Sequence, residues 1–365
     1  MKKAVLLFGI AGTAAMAAAP PSVRNSDACA AALKAMPAIT ECQETANGVV
    51  VGTHAGAVKA AARGASEGER RFRAYFDRPV PRYAVAFNAD FIASNALRQA
   101  GFKVVKPWLD TESKAAAIDQ SVRRAVLKAV EGKNMTPEQI DAMVAQAKSK
   151  VPQASAAKVE DTDAGALAHE LGHQWFMAAF WPGQNVGKSG HYAGPAPDWL
   201  DELAAVLHES DQMAADRRRQ FRMVYLQEPN RKMLPDVRLD GLMDLVTYLT
   251  REHPLNRAAR DFRDKMKQES GQTSGVLLMT GVEAQGAAQS SLMFYLQSRI
   301  FADFLLERTG NQRLFSDIAA ADARGLNFRG WLAKNGSKNK LPASFPELQK
   351  LWQTWVKASY GKPSE

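Results

Sequence analysis

The sequence predicts an α+β chain, predominantly α-helical, with one small sheet ahead of a long helical C-terminal part. Three observations predict it. Arg82 to Asn88 alternates as a strand, and Phe102 to Lys106 reads as a second. Beyond Glu202 the apolar residues recur at three-to-four spacing, the period of an amphipathic helix. Between these regions, His169-Glu170-Leu171-Gly172-His173 lies inside a helical pattern with the acids Asp161 and Asp163 before it and Pro182-Gly183 after it.

Lys2 and Lys3 precede a short apolar core, Ala4 to Ala15, and Ala15-Met16-Ala17 is an A-x-A cleavage site, so residues 1–17 read as an export signal. That core is too short to span a bilayer, and no later run of about 20 apolar residues exists, so no transmembrane segment is expected after cleavage. The expected location is periplasmic or secreted. In an oxidising compartment Cys29 and Cys42, the only cysteines, are expected to form a disulfide. Residues 18–78 are Ala-rich and helical in pattern, a leader expected to pack on the body that follows. The net charge of +9 is dispersed. Its short clusters, Arg70-Arg71, Arg217-Arg218-Arg219 and Lys338 to Lys340, lack interleaved aromatics and read as solvated surface, so nucleic acid is not an expected partner.

Residues 79–210 form the expected catalytic subdomain. A helix from Asp90 to Gln99 joins the two strands, and helices follow from Ser113 to Gly132 and from the Thr136-Pro137-Glu138-Gln139 start to Lys150. Ser149 to Asp161 is poor in apolar residues and reads as a linker. A helix from Asp163 to Trp181 carries the two histidines, and after a Gly- and Pro-rich loop another begins near Asp198, a candidate N-cap. Residues 211–361 are expected as a helical subdomain, with helices at Gly241 to Thr250, Leu292 to Arg308, Asn311 to Ala321 and Phe345 to Val356.

At ~100° per residue, His169 and His173 lie ~40° apart on one helix face with Glu170 between their turns. One metal can take both imidazoles. Catalytic zinc uses three protein ligands and keeps a fourth position open, which leaves Glu170 as a base rather than a ligand. The third ligand must come from elsewhere, and Asp198 to Ala205 offers Asp201 and Glu202. A third histidine closely following the second is ruled out, because residues 174–180 contain none.

His169 to Trp175 resembles the H-E-L-x-H-Q-W stretch of aminopeptidase-N-like enzymes, and Trp199 to Ala205 resembles their W-L-N-E-G-F-A helix. The chain thus resembles the gluzincin, or peptidase MA-like, zinc metallopeptidases. The resemblance implies a zincin-like catalytic domain with Glu202 as third zinc ligand. Asp201 is then expected to face solvent or the helix dipole. Tyr295-Leu296-Gln297-Ser298, running into Leu305-Leu306-Glu307-Arg308-Thr309-Gly310, and the Trp352-bearing last helix are similar to that group's C-terminal helices. Some features depart from the pattern. The interval from His173 to Glu202 is longer than those aminopeptidases use. Val206 stands where some gluzincins place a supporting acid, and the G-x-M-E-N strand that binds a substrate's free amine is absent ahead of His169. Aminopeptidase specificity therefore does not follow.

The resulting expectation is an exported zinc metallopeptidase acting on a peptide or protein. His169, His173 and Glu202 would hold Zn2+, and Glu170 would serve as general base on a zinc-activated water. Tyr295 is the oxyanion donor that the resemblance implies, with His191 and Tyr192 as competitors in the loop between the zinc motifs. His208 shares a helix face with Asp201 and reads as a supporting or surface group. A non-catalytic, zinc-retaining envelope or partner-binding protein is the alternative. Glu170, which a structural zinc site would not need, favours the enzyme.

Overall fold

The computed structural model describes residues 27–149, 156–183, 194–226, 244–254 and 281–361; the expected export signal and the His191-Tyr192 loop lie outside the described residues. The architecture is α+β and mostly helical. One four-stranded mixed sheet has the order β1 (Glu41–Glu44), β2 (Gly48–Gly52), β3 (Tyr83–Phe87) and β4 (Val104–Trp108). β1 and β2 form an antiparallel hairpin, while β2, β3 and β4 run parallel with Val50 opposite Val85 and Val85 opposite Lys106.

The hairpin corrects the expectation of a purely helical leader over 18–78. Alanine dominates the surrounding composition, but Val49-Val50-Val51 is β-branched and buried on both faces of the sheet, where it packs better than in a helix. Its turn is also specified locally: Thr45 Oγ1 accepts from Gly48 N–H, and Glu69 holds the N–H and amide of Asn47. The leader is helical on either side, at α1 (Ala28–Ala35) and α2 (Ala55–Phe76). Cys29 on α1 is bonded to Cys42 on β1, with Cα atoms 5.8 Å apart, so the disulfide ties the first helix to the sheet edge.

Strand alternation divides the core. Val49, Val51, Ala84, Ala86 and Val105 face α1 and α3 (Phe91–Gln99), while Val50, Val85 and Val104 face the main core built with α2 and α6 (Ala156–Phe180). β4 starts two residues later than its sequence pattern suggests and runs through Pro107, whose missing N–H is tolerated because β4 is an edge strand. α4 (Thr111–Ala129) and α5 (Pro137–Ser149) follow. Thr136 and Gln139 cap α5 reciprocally, as the T-x-x-Q pattern predicts. α6 begins at Ala156, so part of the expected linker is helix. Ala156-Ala157-Lys158 are strong helix formers, and low hydropathy there does not mean loop.

The C-terminal part is helical throughout the described residues: α7 (Asp198–Val206), α8 (Asp211–Tyr225), α9 (Leu245–Thr250), α10 (Gly281–Thr309), α11 (Leu314–Asp322), α12 (Phe328–Asn335) and α13 (Phe345–Tyr360). α7 is the hub of this layer. All of Trp199 to Val206 is buried, between α6 on one side and α10 on the other, so the helix has no solvent face. Its approach to α6 depends on Gly172, where a Cβ would come within 2.6 Å of His208 Nδ1. No helix among the described residues is long and apolar enough to cross a membrane.

Candidate metal centre

α6 and α7 bring His169, His173 and Glu202 together as a buried group whose donor atoms all lie within 4.8 Å of one another. The two imidazoles stand nearly perpendicular, ring centroids 5.0 Å apart, as residues one turn apart on a helix can. Glu202 reaches between them. Its Oε1 lies 3.5 Å from His169 Nε2 and its Oε2 lies 3.6 Å from His173 Nε2. Both separations exceed a hydrogen bond, and with one donor atom taken from each residue the three still lie within reach of a single ion. The donor set, two imidazoles and a carboxylate, suits a divalent transition metal.

Behind each ring stands a carboxylate, hydrogen-bonded to His169 and at ion-pair distance from His173. His169 Nδ1 lies 3.0 Å from Glu209 Oε1, and His173 Nδ1 lies 2.8 Å from Asp201 Oδ1, which leaves the two Nε2 atoms to converge on Glu202. A carboxylate on the far nitrogen fixes the tautomer and the ring orientation that metal binding needs. Glu209 is itself fully buried and gripped by Arg217, whose Nε lies 2.7 and 2.6 Å from its two oxygens.

Electrostatics without a cation are strained in a direction that a metal would relieve. Burial pushes the Glu202 carboxyl up to about 8, against the pull of His169 and Arg217. Burial, and then the charge of His169, push His173 down to about 3. Burial also disfavours ionised Glu209, but Arg217 and His169 outweigh it and hold this carboxyl at about 2. A divalent cation at the Nε2 side would favour ionised Glu202 and neutral imidazoles together.

Glu170 is not part of the triad. It lies on the same helix, and its Oε2 is 2.6 Å from Lys106 Nζ on β4. Tyr295 on α10 is brought beside the histidines, its ring perpendicular to that of His169 at 5.9 Å, with the Arg217 guanidinium 5.1 Å from its centroid. His253 completes this wall: its ring is 5.5 Å from that of Tyr295, and its Nε2 is 4.0 Å from Glu202 Oε2.

The structure departs from the sequence expectation at several residues. Asp201 does not face solvent; it is buried against His173, because α7 is enclosed and its neighbouring acids splay to the two nitrogens of one ring. Asp198 is the first residue of α7 rather than its cap, and its Oδ2 accepts the backbone N–H of His253 at 2.6 Å. His208 is a core histidine, stacked on Phe76, donating Nδ1–H to Ala204 O, and kept neutral by burial at about 3. Arg217 is no surface charge. Glu209, Arg217 and His253 were missed altogether. The one available signal was for Glu209, an acid seven residues beyond Glu202 and next to His208.

No protein family, curated protein or solved structure matches this chain.

Proposed function

We propose that the chain is an exported zinc-dependent metallopeptidase of the gluzincin type, hydrolysing peptide bonds in a peptide or protein substrate. One observation carries the reading. The acid between the two histidines stays outside the ligand group, while a second acid, Glu202, completes it. A purely structural site needs no such spare carboxylate. When bound, zinc supplies the Lewis acidity that polarises a carbonyl and makes water nucleophilic near neutral pH.

The chain's own residues supply the rest. Glu170 takes the proton from the attacking water and delivers it to the leaving amine. Tyr295, whose ring lies beside that of His169, and His253, whose ring lies beside that of Tyr295, are the candidate donors to the developing oxyanion. The Cys29–Cys42 disulfide supports export, since such bonds persist in oxidising compartments. The test is hydrolysis of denatured casein by the purified chain loaded with one equivalent of zinc. Release of peptides that a chelator stops and zinc restores supports the proposal; a zinc-loaded chain that releases none contradicts it.

A further inference from the structure

β4 presents Val104, Lys106 and Trp108 on one face, the face on which Val50 and Val85 meet α2 and α6. Lys106 therefore occupies a core-facing position. Its side chain is only 15% exposed, and an aliphatic residue there would bury surface without desolvating a charge. Local rules broken at a core position point to function when a specific partner explains the break. The partner is Glu170, with Nζ 2.6 Å from Oε2, the short distance of a charge-assisted hydrogen bond.

A second ion pair holds α6, this time from α4, the helix that follows β4. Lys114 Nζ lies 2.7 Å from Asp163 Oδ2, two turns or about 10 Å earlier on α6, and both ammonium groups lie over the Trp108 ring, 4.7 Å from its centroid for Lys114 and 5.8 Å for Lys106. Only the Lys106 pair engages the acid that stands between His169 and His173 in the sequence of α6.

A carboxylate carried between two metal-ligating histidines on one helix would be drawn to a bound divalent cation as a ligand, and an acid that ligates can no longer serve as base. We infer that Lys106 is a positioning residue that keeps Glu170 out of the metal's ligand set, leaving the fourth position open. The inference rests on the metal-centre reading above.

It is tested without turnover, on full-length chains loaded with cobalt(II), whose visible absorption weakens as coordination number rises. Wild type, Lys106→Met, Lys106→Arg, Lys114→Met and the double variant Lys106→Met with Glu170→Gln are compared, with acetohydroxamic acid as a probe of the open position. Lys106→Met is expected to retain one cobalt per chain with weaker absorption and to bind the hydroxamate at least ~10-fold less tightly. Arginine at 106 and the double variant should return the absorption to wild type, and Lys114→Met should leave both readings unchanged. Wild-type absorption and hydroxamate affinity in Lys106→Met, or an equal shift in Lys114→Met, would overturn the inference. Cobalt uptake with an unshifted Lys106→Met sinks only the role of Lys106; a wild type that takes up no cobalt sinks the centre itself.

Discussion

Asp201 and Glu202, adjacent in sequence, address the two nitrogens of His173: Asp201 Oδ1 lies 2.8 Å from Nδ1, and Glu202 Oε2 lies 3.6 Å from Nε2. One acid lies behind the ring, and the other faces the nitrogen that belongs to the candidate ligand group. Glu202→Ala should lose the metal under mild chelation that wild type survives. Asp201→Ala should keep it with ~10–100-fold weaker affinity, the usual cost of removing an outer-shell carboxylate. Metal titration by competition with a chromogenic chelator checks both, and equal affinities in the two variants would reverse the assignment.

Arg217 should matter for stability as much as for the metal. It is the cation that grips Glu209, a carboxylate with no exposure, and Glu209 in turn holds His169. Arg217→Met strands that buried charge, which typically costs about 3–5 kcal/mol. Denaturant unfolding of the metal-free protein measures it. Replacing Arg217 and Glu209 together by Met and Gln should cost less than Arg217→Met alone.

Stability of the metal-free protein should fall between pH 6.5 and 8. Glu202 is raised by burial from 4.5 to about 8, so its contribution is full below 4.5 and drains as pH climbs to about 8. His173, lowered by burial from 6.5 to about 3, contributes fully above 6.5 and loses its contribution as pH falls. The two oppose each other below 6.5. Above it Glu202 acts without that opposition, and His169 drains in the same direction: burial disfavours its charged form, but Glu202 and Glu209 prevail and raise it. Melting temperature across this window should therefore decline with chelator present, decline less in Glu202→Gln, and rise when zinc is added, because metal binding releases those protons. A rising curve in the metal-free protein would contradict this.

Gly172 sits inside the histidine motif for a packing reason. A methyl group there would meet His208 Nδ1 at 2.6 Å and Ala205 Cα at 3.3 Å, forcing α7 away from α6. Gly172→Ala should destabilise by ~1–3 kcal/mol through overpacking and weaken metal binding, since Glu202 rides on α7. Gly56→Ala, where nothing lies within 4 Å, is the control.

How much could be read from the chain follows from how local each feature is. The two histidines, Glu170 and the Thr136–Gln139 cap are fixed by spacing within one turn of helix, and they were legible. Glu202 was legible only because a resemblance chose it over Asp201. The role of Asp201 was not, because it depends on α7 being enclosed on all sides, a tertiary fact. Glu209, Arg217 and His253 reach the centre through the turn after α7 and through packing of chain-distant helices, which no periodicity encodes. The hairpin was hidden by an alanine-rich background, although its Val49-Val50-Val51 run and Asn47-Gly48 turn carried the signal.

If His169, His173 and Glu202 hold the metal and Glu170 serves only as base, Glu170→Gln separates the two roles most directly. Wild type and variant, each carrying one zinc, are incubated with a denatured proteome, with and without chelator, and new peptide termini are counted by mass spectrometry. Wild type should generate termini that the chelator abolishes, and the variant should retain its zinc while generating at least ~10²-fold fewer. Equal cleavage by the two zinc-loaded proteins, or loss of zinc from the variant, would contradict the roles assigned to Glu170, His169, His173 and Glu202.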